Sequence, residues 1–322
     1  MKRYQIHLLF VVLFFIELKV PAQTGQLMIG DKAPELKIEQ WLKKGGFKLF
    51  EKGKVYLVDM WATWCVPCIA GMPHMSDLQK KYAAKGFEVI GITSDDKYGN
   101  SFENARKFVS KKDSLMNYNV AWVPASAKDS QQGIWLHSWM QQAGFGNLPT
   151  SFLIDRNGEI VYMGDPATID KTVEEVIDGH YTISQLKEQF ISGIEAENIL
   201  RKFNQALKAN QVDTAVSYGR RLLSKFSYVR PNTYLITGWQ VAHYQGTVDE
   251  PLLQIGFDAV ARGMKQTNFT SPAFFDVIAA LYAIKKDYLS AIIAEKAAIS
   301  LSDGEMKKNN EKNLEKYLLL IN

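Results

Sequence analysis

The order of apolar and polar positions divides this chain near residue 180. In the first part, Val55–Met60 is apolar on both sides, as a strand covered by helices on both faces requires. A helix-like run follows from Ile69 to about Ala84, with Pro73 inside it. The proline removes one backbone donor and predicts a kink, while Tyr82 and the stop at Lys85-Gly86 fit a helix that continues beyond it. Phe87–Thr93 predicts a second, parallel strand, completing a strand–helix–strand unit. Residues 100–112 carry Phe102, Ala105, Phe108 and Val109 on one helical face. Residues 118–123 predict a short strand, and residues 132–143 a helix with Ile134, Trp135, Leu136 and Trp139 apolar. Trp122, Trp135 and Trp139 read as core. Residues 151–155 form a strand, joined through Arg156-Asn157-Gly158-Glu159, a tight hairpin signal, to a strand over 160–162. A closing helix over 169–177 ends at Gly179. Near the start, residues 36–50 alternate weakly around Gly45-Gly46 and predict a short hairpin capping one sheet edge.

Beyond Gly179 the aromatic strands give way to helical stripes. Helix pairs are predicted at 194–209 with 213–226, 232–244 with 250–264, and 271–284 with 288–301, before a last helix at 305–320. Second members start at 213, 250 and 288. That spacing resembles a degenerate tetratricopeptide-type array, whose standard unit is roughly 34 residues. Ser271-Pro272 is a cap followed by proline at the first helical position. The fold class predicted is α/β followed by an all-α helical-hairpin region.

Composition changes the picture in three ways. Residues 1–22 pair Lys2 and Arg3 with an apolar run from Leu8 to Ile16 and end in Val20-Pro21-Ala22, the layout of a cleaved signal peptide. The apolar run is too short to span a bilayer. The expected parts are therefore 1–22 as leader, 23–180 as the mixed domain and 184–322 as the helical domain. Without Lys2, Arg3, Lys19 and Glu17 the net charge falls from +4 to +2. Basic pairs such as Lys80-Lys81 and Lys111-Lys112 are scattered, so no nucleic-acid surface is indicated. The chain has 2 cysteines, too few for a disulfide scaffold, so stability must come from the core.

Those cysteines are Cys65 and Cys68, at the junction between the first strand and its helix. A sulfur there lies over the free N–H groups of a helix N-terminus, which stabilise a thiolate. Half of a zinc site is the alternative, but no second cysteine pair or spaced histidine pair exists to complete four ligands. Redox chemistry is the reading: Cys65 attacks a substrate disulfide, and Cys68 then attacks Cys65 to release the reduced product. Pro67 is expected to hold the turn and leave Cys65 the more exposed sulfur; Val66 is one of the two residues that tune the potential. His74, His137, His180 and His243 show no metal spacing and read as surface or hydrogen-bonded residues.

Val58-Asp59-Met60-Trp61-Ala62-Thr63-Trp64-Cys65-Val66-Pro67-Cys68 resembles the active-site segment of the thioredoxin superfamily. The likeness runs from about Gly30 to Gly179 and is nearest in kind to the TlpA/ResA-type disulfide reductases of bacterial envelopes. Gly30-Asp31-Lys32-Ala33-Pro34 resembles the opening segment those reductases share with peroxiredoxins, and the extra strand and helix after residue 116 resemble their elaboration. Pro73 stands at the offset of the thioredoxin helix proline. The resemblance implies a cis bond between Leu148 and Pro149, facing the cysteine pair, with Leu148 offering its backbone to an extended substrate and Thr150 beside it. It also implies that Asp59 is a buried carboxylate of raised pKa that takes the proton from Cys68; a hydrogen-bonded structural Asp with no kinetic part is the alternative. Asparagine is frequent there in TlpA/ResA relatives, so Asp59 departs toward thioredoxin. Val66 stands where ResA-type enzymes often carry an acidic residue. Trp61 and Trp64 are expected at the rim of the site, as an apolar surface for a peptide, although packing alone also accounts for either, and for Trp61 above all.

The function expected is an exported, periplasmic thiol:disulfide oxidoreductase acting on protein disulfides, with no cofactor beyond the dithiol. A membrane electron-donor thiol protein is then implied as its source of reducing equivalents. A peroxiredoxin-like peroxidase is the alternative; its Pro-x-x-x-Thr/Ser-x-x-Cys pattern is absent before Cys65. In a third reading the helical half is a partner-binding module and the redox half is secondary.

Overall fold

The computed structural model describes residues 27–46, 50–123, 125–126, 129–133, 139–226 and 228–321. The expected leader and Trp135 lie outside them. The strands are β1 (Gln40–Lys43), β2 (Val55–Met60), β3 (Phe87–Thr93), β4 (Asn119–Trp122), β5 (Ala125–Ser126), β6 (Asp129–Gly133), β7 (Thr150–Ile154) and β8 (Ile160–Gly164). Six of them form one mixed sheet in the order β1-β4-β3-β2-β7-β8, and β5 with β6 forms a separate hairpin. The wholly buried β2 lies between β3, to which it is parallel, and β7, to which it is antiparallel. Helices α1 (Val66–Tyr82), α2 (Phe102–Lys111) and α3 (Asp170–Asp178) complete this half.

Register fixes which side chains share a face, because alternate residues of a strand point oppositely. Asp59 is level with Gly91 on one side and Ser151 on the other. On that face Trp61 meets Phe108 of α2 at 5.5 Å between ring centroids. On the other, Tyr56, Phe50, Trp139 and Phe152 form a chain of edge and tilted contacts at 5.1–6.0 Å. Trp122 and Trp139 are core residues, as their sequence context indicates.

Two expected elements differ. Among the described residues of 36–50 there is one edge strand, β1, paired with β4 rather than with a strand of its own. Gly45 takes positive φ, and an added Cβ would lie 2.0 Å from Trp41, so the chain doubles back tightly against that ring. Of the expected helix over 132–143, residues 132–133 belong to β6, residues 134–138 lie outside the described residues, and one wide turn at 139–145 carries the Phe145 amide to the Met140 carbonyl. Trp139, Met140 and Ala143 of this run are buried in the sheet's core. α1 continues through Pro73, which leaves the Ile69 carbonyl without its usual amide donor.

The second half contains α4 (Ile183–Lys208), α5 (Val212–Ser224), α6 (Pro231–Ala242), α7 (Glu250–Gln266), α8 (Pro272–Ile284), α9 (Tyr288–Leu301) and α10 (Gly304–Leu319). They pack as consecutive antiparallel pairs, α4 on α5, α6 on α7 and α8 on α9, with α10 against α9. Glycines allow the close crossings: an added Cβ on Gly263 would lie 2.1 Å from Phe274, and one on Gly238 2.4 Å from Val260. The expected first helix at 194–209 begins earlier. Thr182 caps it at Ile183, and its first turns place Leu186 and Phe190 in the sheet's own core before Ile199, Leu200 and Phe203 enter the helical core. One unbroken apolar stripe thus serves both halves. Among the described residues, no helix is long and apolar enough to cross a membrane.

Candidate active site

β2 ends at Met60, and the chain turns through residues 61–64 into α1 with Cys65 as N-cap. Cys65 Sγ accepts the Cys68 amide at 3.3 Å, and its carbonyl accepts the Ile69 amide at 3.1 Å. Pro67 occupies the first turn, where a missing N–H costs the helix nothing. Cys65 and Cys68 are joined as a disulfide, with their Cα atoms 5.3 Å apart. In this oxidised form the expected exposure of Cys65 is not seen: Cys65 is 2% and Cys68 4% exposed. The bond folds both sulfurs against the first helical turn, and the neighbouring side chains project instead, Val66 at 74% and Trp64 at 43%.

Behind the pair, Asp59 is buried on β2, and its Oδ1 accepts the Ser151 hydroxyl at 2.6 Å. Burial pushes its carboxyl up to about 7. The Ser151 hydrogen bond opposes that shift, while Asp165 reinforces it and His74 opposes it more weakly. Ser151 escaped sequence reading because only register shows that it lies level with Asp59. Its pattern is that of any strand residue.

The expected rim divides in two. Trp61 is fully buried, so it is a core residue, as its strand-like context requires. Trp64 stands at the surface, its Nε1 donating to Asp96 Oδ2 at 2.6 Å and its ring edge-on to Tyr98 at 5.1 Å. The loop after β3 is built to hold it. Asp96 Oδ1 accepts the amides of Tyr98 and Asn100, and Asn100 Oδ1 accepts the amide and hydroxyl of Thr63 at 3.0 and 2.8 Å. Asp96, Tyr98 and Asn100 were missed from sequence; Asp96-x-Tyr98-Gly99-Asn100 between strand and helix was the available signal.

The Leu148–Pro149 bond is cis. Thr150 lies level with Met60, so Pro149 comes to the same sheet end that delivers Cys65. Leu148 and Pro149 are half-buried. Thr150 is not an open contact surface: it is buried, and its hydroxyl donates to the Asn147 carbonyl at 2.7 Å, closing the turn before β7. His74 is paired with Asp170 at 3.0 Å, which raises its pKa, and His243 bonds the Trp239 carbonyl at 3.0 Å. Among the described residues, no group of three or more His, Cys, Asp or Glu could hold a metal ion.

Comparison with known proteins points the same way. Residues 29–163 match the AhpC/TSA family. The chain is similar to protein FixW of Rhizobium leguminosarum, with 28% identity over 162 residues, covering 50% of this chain and 71% of that one. It is similar to the thiol-disulfide oxidoreductase ResA of Bacillus thuringiensis strain Al Hakam, with 29% identity over 160 residues, covering 49% and 80%. A crystal structure of a thiol:disulfide interchange protein DsbE from Chlorobium tepidum is 32% identical, covers 48% of this chain and 99% of that one, and has a TM-score of 0.36.

Proposed function

The thioredoxin-like half of this chain belongs to the ResA-type thiol-disulfide oxidoreductases, and from that premise we propose that it acts as a reductant of protein disulfides. The observation that carries this reading is the Cys65–Cys68 disulfide at the N-cap of the helix that follows the strand burying Asp59. In the reduced form, Cys65 thiolate attacks one sulfur of the substrate disulfide. A mixed disulfide forms, and the first substrate thiolate leaves. Cys68 then gives its proton to the Asp59 carboxylate and attacks Cys65 Sγ. The second substrate thiolate departs, two electrons have moved to the substrate, and Cys65–Cys68 is again a disulfide. Trp64, Val66 and Pro67 offer an exposed apolar border for the substrate chain, and Leu148 beside Pro149 an edge for its backbone.

An insulin-reduction assay tests this directly. Cys65→Ser is expected to abolish turnover, and Cys68→Ser to accumulate a mixed disulfide on Cys65, read by mass spectrometry of the trapped complex. Trapping through Cys68 instead, or turnover of hydrogen peroxide exceeding that of insulin, would overturn the assignment.

The same proposal takes the protein to the periplasm, supported by the basic and then apolar first 22 residues, and makes a membrane thiol protein its electron donor. The helical half is proposed as a tetratricopeptide-like partner surface, supported by its paired helices. Fractionation of the processed chain tests the first. Partner capture lost on deleting residues 194–322, with insulin reduction retained, tests the second.

A further inference from the structure

Three side-chain polar atoms in the thioredoxin-like half are buried without a partner among the described residues: Trp61 Nε1, Trp139 Nε1 and Tyr118 Oη. Two of the rings that carry them meet at one place. Gly91 lies level with Asp59 on the neighbouring strand. A Cβ added there would lie 3.1 Å from Tyr118 Cε2 and 3.2 Å from Trp61 Nε1. The missing side chain of Gly91 is what admits both rings to the slot beside Asp59. Burial raises the Tyr118 pKa well above its ordinary value, and the Asp59 charge raises it further, so the hydroxyl keeps its proton and serves as a donor.

A buried donor without an acceptor costs free energy unless some state of the protein uses it. The structure holds the oxidised pair, in which Asp59 has no proton to accept. We propose that Tyr118 is a positioning residue for the proton step: in the reduced protein its hydroxyl, unpartnered in the oxidised form, comes within hydrogen-bond reach of the Asp59 carboxylate and sets how readily that carboxylate takes the proton of Cys68. Trp61 Nε1 is the second, weaker donor of the same slot. The inference rests on Asp59 being the base. The proton leaves Cys68 Sγ and arrives on Asp59; Tyr118 neither gains nor loses one, and its role is to favour the charged form of the acceptor. The other groups acting on the Asp59 carboxyl are the Ser151 hydroxyl from β7, His74 from α1 and Asp165 after β8.

The test is the pH profile of mixed-disulfide resolution in the full chain, measured by rapid-quench alkylation for the wild type, Tyr118→Phe and Asp59→Asn. Tyr118→Phe keeps the ring that packs over Gly91 and removes only the donor. The expected result is an inflection displaced upward by about one pH unit, the scale of one hydrogen bond to a charged group. Asp59→Asn is expected to lose the inflection. If Tyr118→Phe keeps the wild-type inflection and only gains thermal stability, the hydroxyl is an idle orphan and the inference fails, while Asp59 remains the base. If Asp59→Asn keeps the inflection, the reading of Asp59 fails and the inference with it. Should Tyr118→Phe resolve too slowly to profile, infrared titration of the Asp59 carboxyl decides, an unshifted midpoint overturning the proposal.

Discussion

Asp59 binds its proton more tightly in the folded chain than in an unfolded one, because its site excludes water. An acid whose folded pKa is raised to about 7 costs stability as pH rises from about 4, and the full cost is present above 7. Oxidised Asp59→Asn is therefore expected to be more stable than the wild type at pH 8, by up to roughly 4 kcal/mol, with the difference vanishing toward pH 4. Denaturant melts at the two pH values check this. The same substitution is expected to slow the reduced enzyme, so that stability and activity would move in opposite directions at one residue. Residue identity made Asp59, Cys65 and Cys68 legible in the sequence. Ser151 and Tyr118 were not, since each matters through a neighbour 92 or 27 positions away that only strand register brings alongside.

At the scale of elements, the loop after β3 gives the redox helix its aromatic border. Asp96→Ala removes the acceptor of Trp64 Nε1 together with the Asp96 Oδ1 bonds to the amides of Tyr98 and Asn100. Its expected effect is a several-fold rise in KM for insulin with kcat little changed, because the sulfurs are held by α1 and not by this loop. Helix packing in the second half is equally specific. Gly263→Ala sets a methyl 2.1 Å from Phe274 and should cost about 1–3 kcal/mol in a thermal melt. Glu295 of α9 is buried with neither oxygen partnered among the described residues, and burial with help from Asp276 lifts its carboxyl to about 8. Stability of the last helices should then fall as pH rises from about 4.5 through 8, and Glu295→Gln should remove that decline in a hydrogen-exchange profile. Helical periodicity revealed these helices in the sequence but gave no sign of the glycine contacts, which depend on which faces cross.

Across the whole molecule, α4 ties the two halves. Leu186 and Phe190 complete the core beneath the sheet, and Arg230 and Glu197 pair beside it on the helical side. A chain ended at residue 181 is expected to melt lower than one ended at 195, by about 3–5 kcal/mol, the burial of two large apolar side chains. Equal melting would mean that α4 leans on the sheet without supporting it. A single amphipathic stripe carries no mark of where one core stops and the next starts, which is why the sequence predicts this helix only from residue 194.

The amino-acid order alone determined the strand before the cysteines, the helix behind them and the nearness of two sulfurs, because each is written in local spacing and residue type, while the proline opposite came from the resemblance its motif carries. The tertiary structure alone decided that Trp61 turns inward while Trp64 turns outward, that Gly91 admits two orphaned donors beside Asp59, and that one helix roots in both cores. The physical reason is common to all three. Periodicity reports which face of an element is apolar, whereas the neighbour that covers that face is chosen by register and by packing between distant segments.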